Sequence, residues 1–175
     1  YFCSAEKARL MTEVAVRQLP FLAHEDARTV GIYVGIPFCL SRCLYCSFPS
    51  HLLPGEKTLR TFMDVLAHDL AAAAEDVRTL GLTVGCIYIG GGTPTSLPDV
   101  FFAEMLKMVY NAFYGSSVRE FTVEAGRPDS MSAAKITAMK AYRVTRVSVN
   151  PQSMQERTLE RIGRHHTPSD IVRMV

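Results

Sequence analysis

Val30-Gly-Ile-Tyr-Val-Gly-Ile36-Pro-Phe-Cys39-Leu-Ser-Arg-Cys43-Leu-Tyr-Cys46 begins as a short apolar, β-branched run and ends with three cysteines inside eight residues. The run predicts a strand over Val30–Ile36. A loop over Pro37–Pro54 follows and carries the cysteines. Beyond it, Leu59, Phe62, Leu66, Leu70, Ala73, Val77 and Leu80 recur at spacings of three and four. That spacing predicts a helix with one apolar face, stopped by Gly81.

The strand–loop–helix order then repeats. Val84–Ile89 reads as a strand and leads into the turn Gly90-Gly91-Gly92-Thr93-Pro94, with a helix over Leu97–Tyr114 closed by Gly115. Phe121–Glu124 ends a third strand, and Asp129 is expected to cap a helix reaching Ala141. Val144–Asn150 reads as a fourth strand and Met154–Ile162 as a fourth helix. Strands alternating with long helices predict an α/β fold with a parallel sheet. Ahead of the first strand, Ser4–Gln18 reads as a helix with Leu10 and Val14 on one face, ended by Pro20.

Doubly wound sheets and barrels share this pattern, and both bind ligands at the carboxyl ends of their strands. The unusual residues all fall there: the cysteines after strand one, the triple glycine after strand two, Glu124 at the end of strand three, and Gln152 after strand four.

Composition narrows the classes. Of 175 residues, 48% are hydrophobic and 21% charged, which suits a buried core. With 19 Lys and Arg against 17 Asp and Glu, no basic stripe points to nucleic acid. Apolar stretches fall short of the ~20 residues of a membrane span. Five cysteines, three of them crowded together, read as ligation in a reducing compartment, with cytoplasm the expected location. Cys86, mid-strand, is expected to be a small buried apolar group. His165 and His166 are adjacent, so they point apart and cannot share a site.

Cys39, Cys43 and Cys46 have the spacing C-x3-C-x2-C. Three thiolates in one loop can reach three corners of an iron–sulfur cluster and leave one iron open to a ligand. The competing reading is a zinc-stabilised binding module, with His51 completing a Cys3His site. A glycine turn and convergent polar groups on neighbouring loops favour the cluster, because a structural zinc site has no use for them. No phosphate-loop or dinucleotide fingerprint is present.

Tyr33-Val-Gly-Ile-Pro-Phe-Cys39, the cysteine loop with Tyr45 before Cys46, and Tyr88-Ile-Gly-Gly-Gly-Thr-Pro-Thr-Ser-Leu97 together resemble the oxygen-independent coproporphyrinogen III oxidase group of radical S-adenosylmethionine (SAM) proteins. The likeness continues through Glu120-Phe-Thr-Val-Glu124, Ser148-Val-Asn-Pro-Gln152-Ser and Gly163-Arg164-His-His166. It is nearest to the coproporphyrinogen dehydrogenase-like subgroup, which carries an extra domain ahead of the barrel. The resemblance implies an incomplete (β/α)6 TIM-like barrel. Residues 29–175 would be its N-terminal part, and residues 1–28 a helical lead-in from a preceding domain. Tyr1 is not a start methionine and Pro168–Val175 reads as an interrupted helix, so the chain is read as a piece of a longer protein. An exposed edge on the fourth strand is then expected to favour self-association.

The same resemblance implies a [4Fe–4S] cluster on Cys39, Cys43 and Cys46. SAM would bind with its amino-acid end on Gly91, Gly92 and Thr93, its ribose hydroxyls on Glu124, and further contacts from Tyr33, Tyr45, Gln152 and Arg164. Reductive cleavage of SAM to a 5′-deoxyadenosyl radical would serve oxidative decarboxylation of porphyrinogen propionates in heme biosynthesis. A low-potential donor such as flavodoxin or ferredoxin would supply the electron. One departure bears on substrate: the oxidases continue as C-x3-C-x2-C-x-C, and here that last position is Phe48. Heme chaperones of the same family also lack that cysteine. Gly126-Arg127 and Asn150-Pro151 likewise replace the commoner residues beside Glu124 and Gln152.

Overall fold

Alternation along the strands separates apolar from polar residues, and that separation builds the sheet. The computed structural model describes residues 3–22, 27–49 and 51–175. In chain order its elements are α1 (Ala5–Leu22), β1 (Thr29–Ile36), β2 (Phe38–Cys39), β3 (His51–Leu52), α2 (Glu56–Thr79), β4 (Thr83–Gly91), α3 (Asp99–Phe113), β5 (Glu120–Glu124), α4 (Ala133–Ala141), β6 (Arg146–Ser148), α5 (Glu156–Arg161) and α6 (Pro168–Met174). Four strands form one parallel sheet in the order β1-β4-β5-β6. The order never reverses, so these strands contain no switch point of the doubly wound kind. It is the order in which a barrel adds strands.

Register sorts the side chains into two faces. Val34, Ile89, Val123 and Val147 lie side by side across the four strands. With Ile36, Ile87 and Phe121, the first three are buried in a core completed by Leu59, Met63 and Leu70 of α2, Phe102, Met105, Leu106 and Val109 of α3, and Met139 of α4. The next row along is Tyr33, Tyr88, Thr122 and Arg146. It faces away from the helices and is polar. A parallel sheet with one face packed under helices and the other polar has the two surfaces of a barrel wall, outside and lumen.

Several sequence expectations are corrected. α1 runs through Pro20 to Leu22, two residues past the proline expected to end it. Leu10 and Val14 are exposed and bury no face. The cysteine loop holds a two-residue parallel pair, β2 with β3. Asp129 does not cap α4: Ser132 does, its hydroxyl accepting from Lys135 N, while Asp129 pairs with Arg127. Cys86 is exposed, because it belongs to the polar face of β4. β6 covers only Arg146–Ser148 of the expected Val144–Asn150. On α2, Leu80 is exposed and Met63 is buried instead, since a 3.6-residue period drifts the stripe away from residue 80.

Candidate functional site

Each βα loop brings its unusual residues to the same end of the sheet. There a cavity of about 150 Å³ is lined by Cys39, Cys43, Cys46, Tyr45, Gly91, Gly92, Thr93, Gln152 and Arg164, joined by Ser41, Phe48, Gly126, Arg127 and Asn150. Larger clefts exist, such as one of about 530 Å³ beside α4 and α6, but Met131, Ile136, Met139 and Val144 make that one mostly apolar. The small cavity gathers thiols and convergent polar groups. Tyr33 and Glu124 are not in its lining; they lie on the polar face of the sheet.

Backbone pairing positions the cysteine loop. Phe38 O accepts from Thr93 N at 2.8 Å and from Ser96 Oγ at 3.0 Å, which ties β2 to the glycine turn. Cys39 O accepts from Leu53 N at 2.9 Å, and Leu44 N donates to Ile162 O at 3.1 Å. Cys39 Sγ lies 3.5 Å from Thr93 Oγ1. All three thiols are free of disulfides. Among the described residues, no three His, Cys, Asp or Glu side chains converge on a single-ion position. His51 sits exposed on β3 and is not among the residues that line the cavity. Three separate thiols around one cavity are a donor set that suits a cluster, whose ligands sit on different irons.

The three glycines answer to three different neighbours. A Cβ at Gly90 would stand 2.9 Å from Glu124 Oε2. One at Gly91, whose φ is +111°, would stand 2.8 Å from Ile36 O, and one at Gly92 would stand 2.7 Å from Phe38 O and 3.0 Å from Cys39 Sγ. The turn thus keeps room for a carboxylate, for the β1 backbone and for a thiol. Gln152 holds φ at +61°, a left-handed conformation unusual for a side chain of its size.

Glu124 ends β5, and its Oε1 accepts from the Tyr88 hydroxyl at 2.7 Å. Tyr33 stacks on Tyr88, ring centroids 5.8 Å apart and 16° from parallel. Burial, then the hydrogen bond and charge of Glu124, push the Tyr88 phenol up to about 12. Burial, then Glu124, also raise the Tyr33 phenol. For Tyr45 the rise comes from burial, opposed by Arg164 and reinforced by the Cys43 thiol.

Arg164 is buried and donates from Nη2 to Gly126 O at 2.8 Å and to Asn150 O at 3.1 Å, tying the β5 and β6 loops together. Its Nε has no partner among the described residues. A buried unpaired donor on a cavity wall fits a polar ligand. Sequence reasoning gave no role to Tyr88, Lys135 or Arg127. Lys135 Nζ donates to Thr95 O at 2.6 Å and Ser130 O at 2.7 Å, bracing the glycine turn from behind. Arg127 is 2% exposed and faces the cysteine loop. The signal available for Arg127 was its departure from the family pattern, three residues past the end of β5.

Comparison with known proteins bears on the family and the fold. At 36% identity, the chain matches the oxygen-independent coproporphyrinogen-III oxidase-like protein HemZ of Bacillus subtilis over 98% of its own length and 35% of that protein's. It is 36% identical to the heme chaperone HemW of Mycobacterium tuberculosis, covering 86% of this chain and 38% of the relative, and 34% identical to HemW of Escherichia coli, covering 82% and 37%. It therefore spans a little over a third of these relatives. The solved coproporphyrinogen III oxidase HemN of Escherichia coli superposes with a TM-score of 0.74 at 22% identity, over 89% of this chain and 35% of that one. At that identity the likeness is one of fold. The family description that matches residues 33–175 is that of the Radical SAM superfamily, and the chain belongs to it.

Proposed function

We propose that the chain carries the cofactor site of a radical SAM oxidoreductase, with Cys39, Cys43 and Cys46 as ligands of a [4Fe–4S] cluster and SAM in the adjoining cleft. We infer that the whole protein is a coproporphyrinogen dehydrogenase-like enzyme acting on porphyrinogen propionates. The observation that carries this is the shared cavity of three free thiols, a glycine turn and the unpaired Arg164 Nε. When bound, cluster and SAM supply one-electron reduction and hydrogen abstraction, chemistry that no side chain here has.

The chain's own residues bind and orient. Gly92 leaves space beside the Cys39 sulfur, and Thr93 sets a hydroxyl next to it. With Oε1 held by Tyr88, Glu124 offers Oε2 to ribose hydroxyls. The Gly91-Gly92-Thr93 turn takes the amino-acid end of SAM, and Arg164 Nε and the Gln152 amide add donors for further contacts. Tyr45 and Phe48 line the cavity with rings that limit water. A low-potential donor of the flavodoxin or ferredoxin class supplies the electron, and a reducing compartment such as the cytoplasm suits the free thiols.

A second reading is heme delivery by a protein that keeps the same cofactor site. It is favoured by Phe48, a phenyl ring where the oxidases have a further thiol, and by the heme chaperones among the relatives. Full-length protein incubated anaerobically with coproporphyrinogen III, SAM and reductant decides between them. Carbon dioxide release with vinyl formation supports the dehydrogenase. Stoichiometric hemin binding without decarboxylation overturns it in favour of delivery.

A further inference from the structure

Arg127 is the largest fully buried side chain, and its hydrogen bonds reach across 86 residues of sequence. Nε and Nη2 donate to the two carboxylate oxygens of Asp129, at 3.0 and 2.8 Å. Nη1 donates to Ser41 O at 3.1 Å and Ser41 Oγ at 2.5 Å. Ser41 lies between Cys39 and Cys43. From Leu44 to Pro49 the loop is exposed and contributes nothing to the core. It therefore depends on a few polar anchors, of which Leu44 N to Ile162 O is another.

We propose that Arg127 is the positioning residue of the cysteine loop, a latch that holds Cys39–Cys46 against the end of β5 whether or not iron is present. This rests on the three cysteines being ligands. A guanidinium suits the task because its planar fork meets the Asp129 carboxylate on one side and leaves Nη1 for Ser41 on the other. Four of its five N–H groups are engaged, so it serves geometry and has little left for a ligand. Lysine in its place keeps the charge but cannot reach both partners from one nitrogen.

Full-length protein is compared with Arg127→Lys, Arg127→Gln and Ser41→Ala in two measurements. The first is amide hydrogen exchange over residues 39–46 in iron-free protein. The second is the rate at which a ferrous chelator strips iron after anaerobic reconstitution. Both Arg127 variants are expected to raise loop exchange and iron loss about tenfold, the loss of charge-assisted hydrogen bonds, with the circular dichroism of the rest unchanged. Ser41→Ala, at a partly exposed position, is expected to raise them about threefold through one lost bond. It decides the matter if the Arg127 variants fail to fold. Parent-like exchange in Arg127→Lys or Ser41→Ala overturns the latch. A parent that takes up no iron and sulfide sinks the ligand assignment instead, and the exchange measurement still reads the latch without iron.

Discussion

The Tyr88 hydroxyl donates to Oε1 of Glu124 across the polar face of the sheet, and the Tyr33 ring backs it from the next strand. One carboxylate oxygen is thereby fixed, and the other looks over Gly90. Tyr88→Phe keeps the ring stack and removes only this bond. SAM affinity, read by calorimetry on reconstituted full-length protein, should fall about tenfold or more, since one hydrogen bond to a charged group is worth about 1.5–3 kcal/mol. Iron content should stay at the parent's level.

The same bond has a pH signature. The folded Tyr88 phenol is raised to about 12, above the ordinary value of ~10 for an unfolded chain. Stability from the protonated form is fully present below pH ~10 and is lost as pH rises toward 12. Alkaline melting curves of parent and Tyr88→Phe should therefore converge across that window. Curves that stay parallel would mean that the bond carries no stability.

Replacing Cys39, Cys43 or Cys46 with Ala should abolish uptake of about four irons per chain. Cys86→Ala should leave uptake intact, since its thiol sits on the open face of β4, away from the cavity. Iron and acid-labile sulfide analysis after reconstitution reads both.

Gly91→Val and Gly92→Ala should differ from ordinary binding-site lesions. Each new Cβ would meet backbone at under 3 Å, Ile36 in one case and Phe38 in the other. Backbone cannot swing away as a side chain can, so overpacking costs of roughly 1–3 kcal/mol or more are expected. Thermal melting should show the loss before any ligand is added, and Gly92→Ala should also lower iron uptake through Cys39.

Gln152→Gly should dissociate stability from binding. Relief of left-handed strain, about 1–2 kcal/mol, is set against the entropy of glycine, so melting should shift little. SAM affinity should drop with the lost amide. A large fall in melting temperature would show that Gln152 is held for packing.

The alternation of strand runs and helix stripes made the parallel sheet legible, while the order of its strands followed from the family resemblance. The cavity was legible through the cysteine spacing and the triple glycine. What failed had a common physical origin. Val84–Ile89 is apolar enough to read as buried on both faces, yet one face of this sheet is a polar wall, so Cys86 was misplaced. Asp129 looked like a cap because it precedes a helix, but a bidentate arginine outcompetes a backbone N–H for its carboxylate. Arg127 itself has no role on the sequence alone until Asp129 and Ser41 are seen around it.

Gly126 and Asn150, two of the residues that depart from the family pattern beside Glu124 and Gln152, are neighbours in space. A Cβ at 126 would stand 3.3 Å from Asn150 Nδ2, and Arg164 clasps the carbonyls of both. The two positions therefore pack as one unit. A graft of either loop from a relative, made alone, would set a new side chain against an amide shaped for its absence, whereas exchanging both together preserves the clasp.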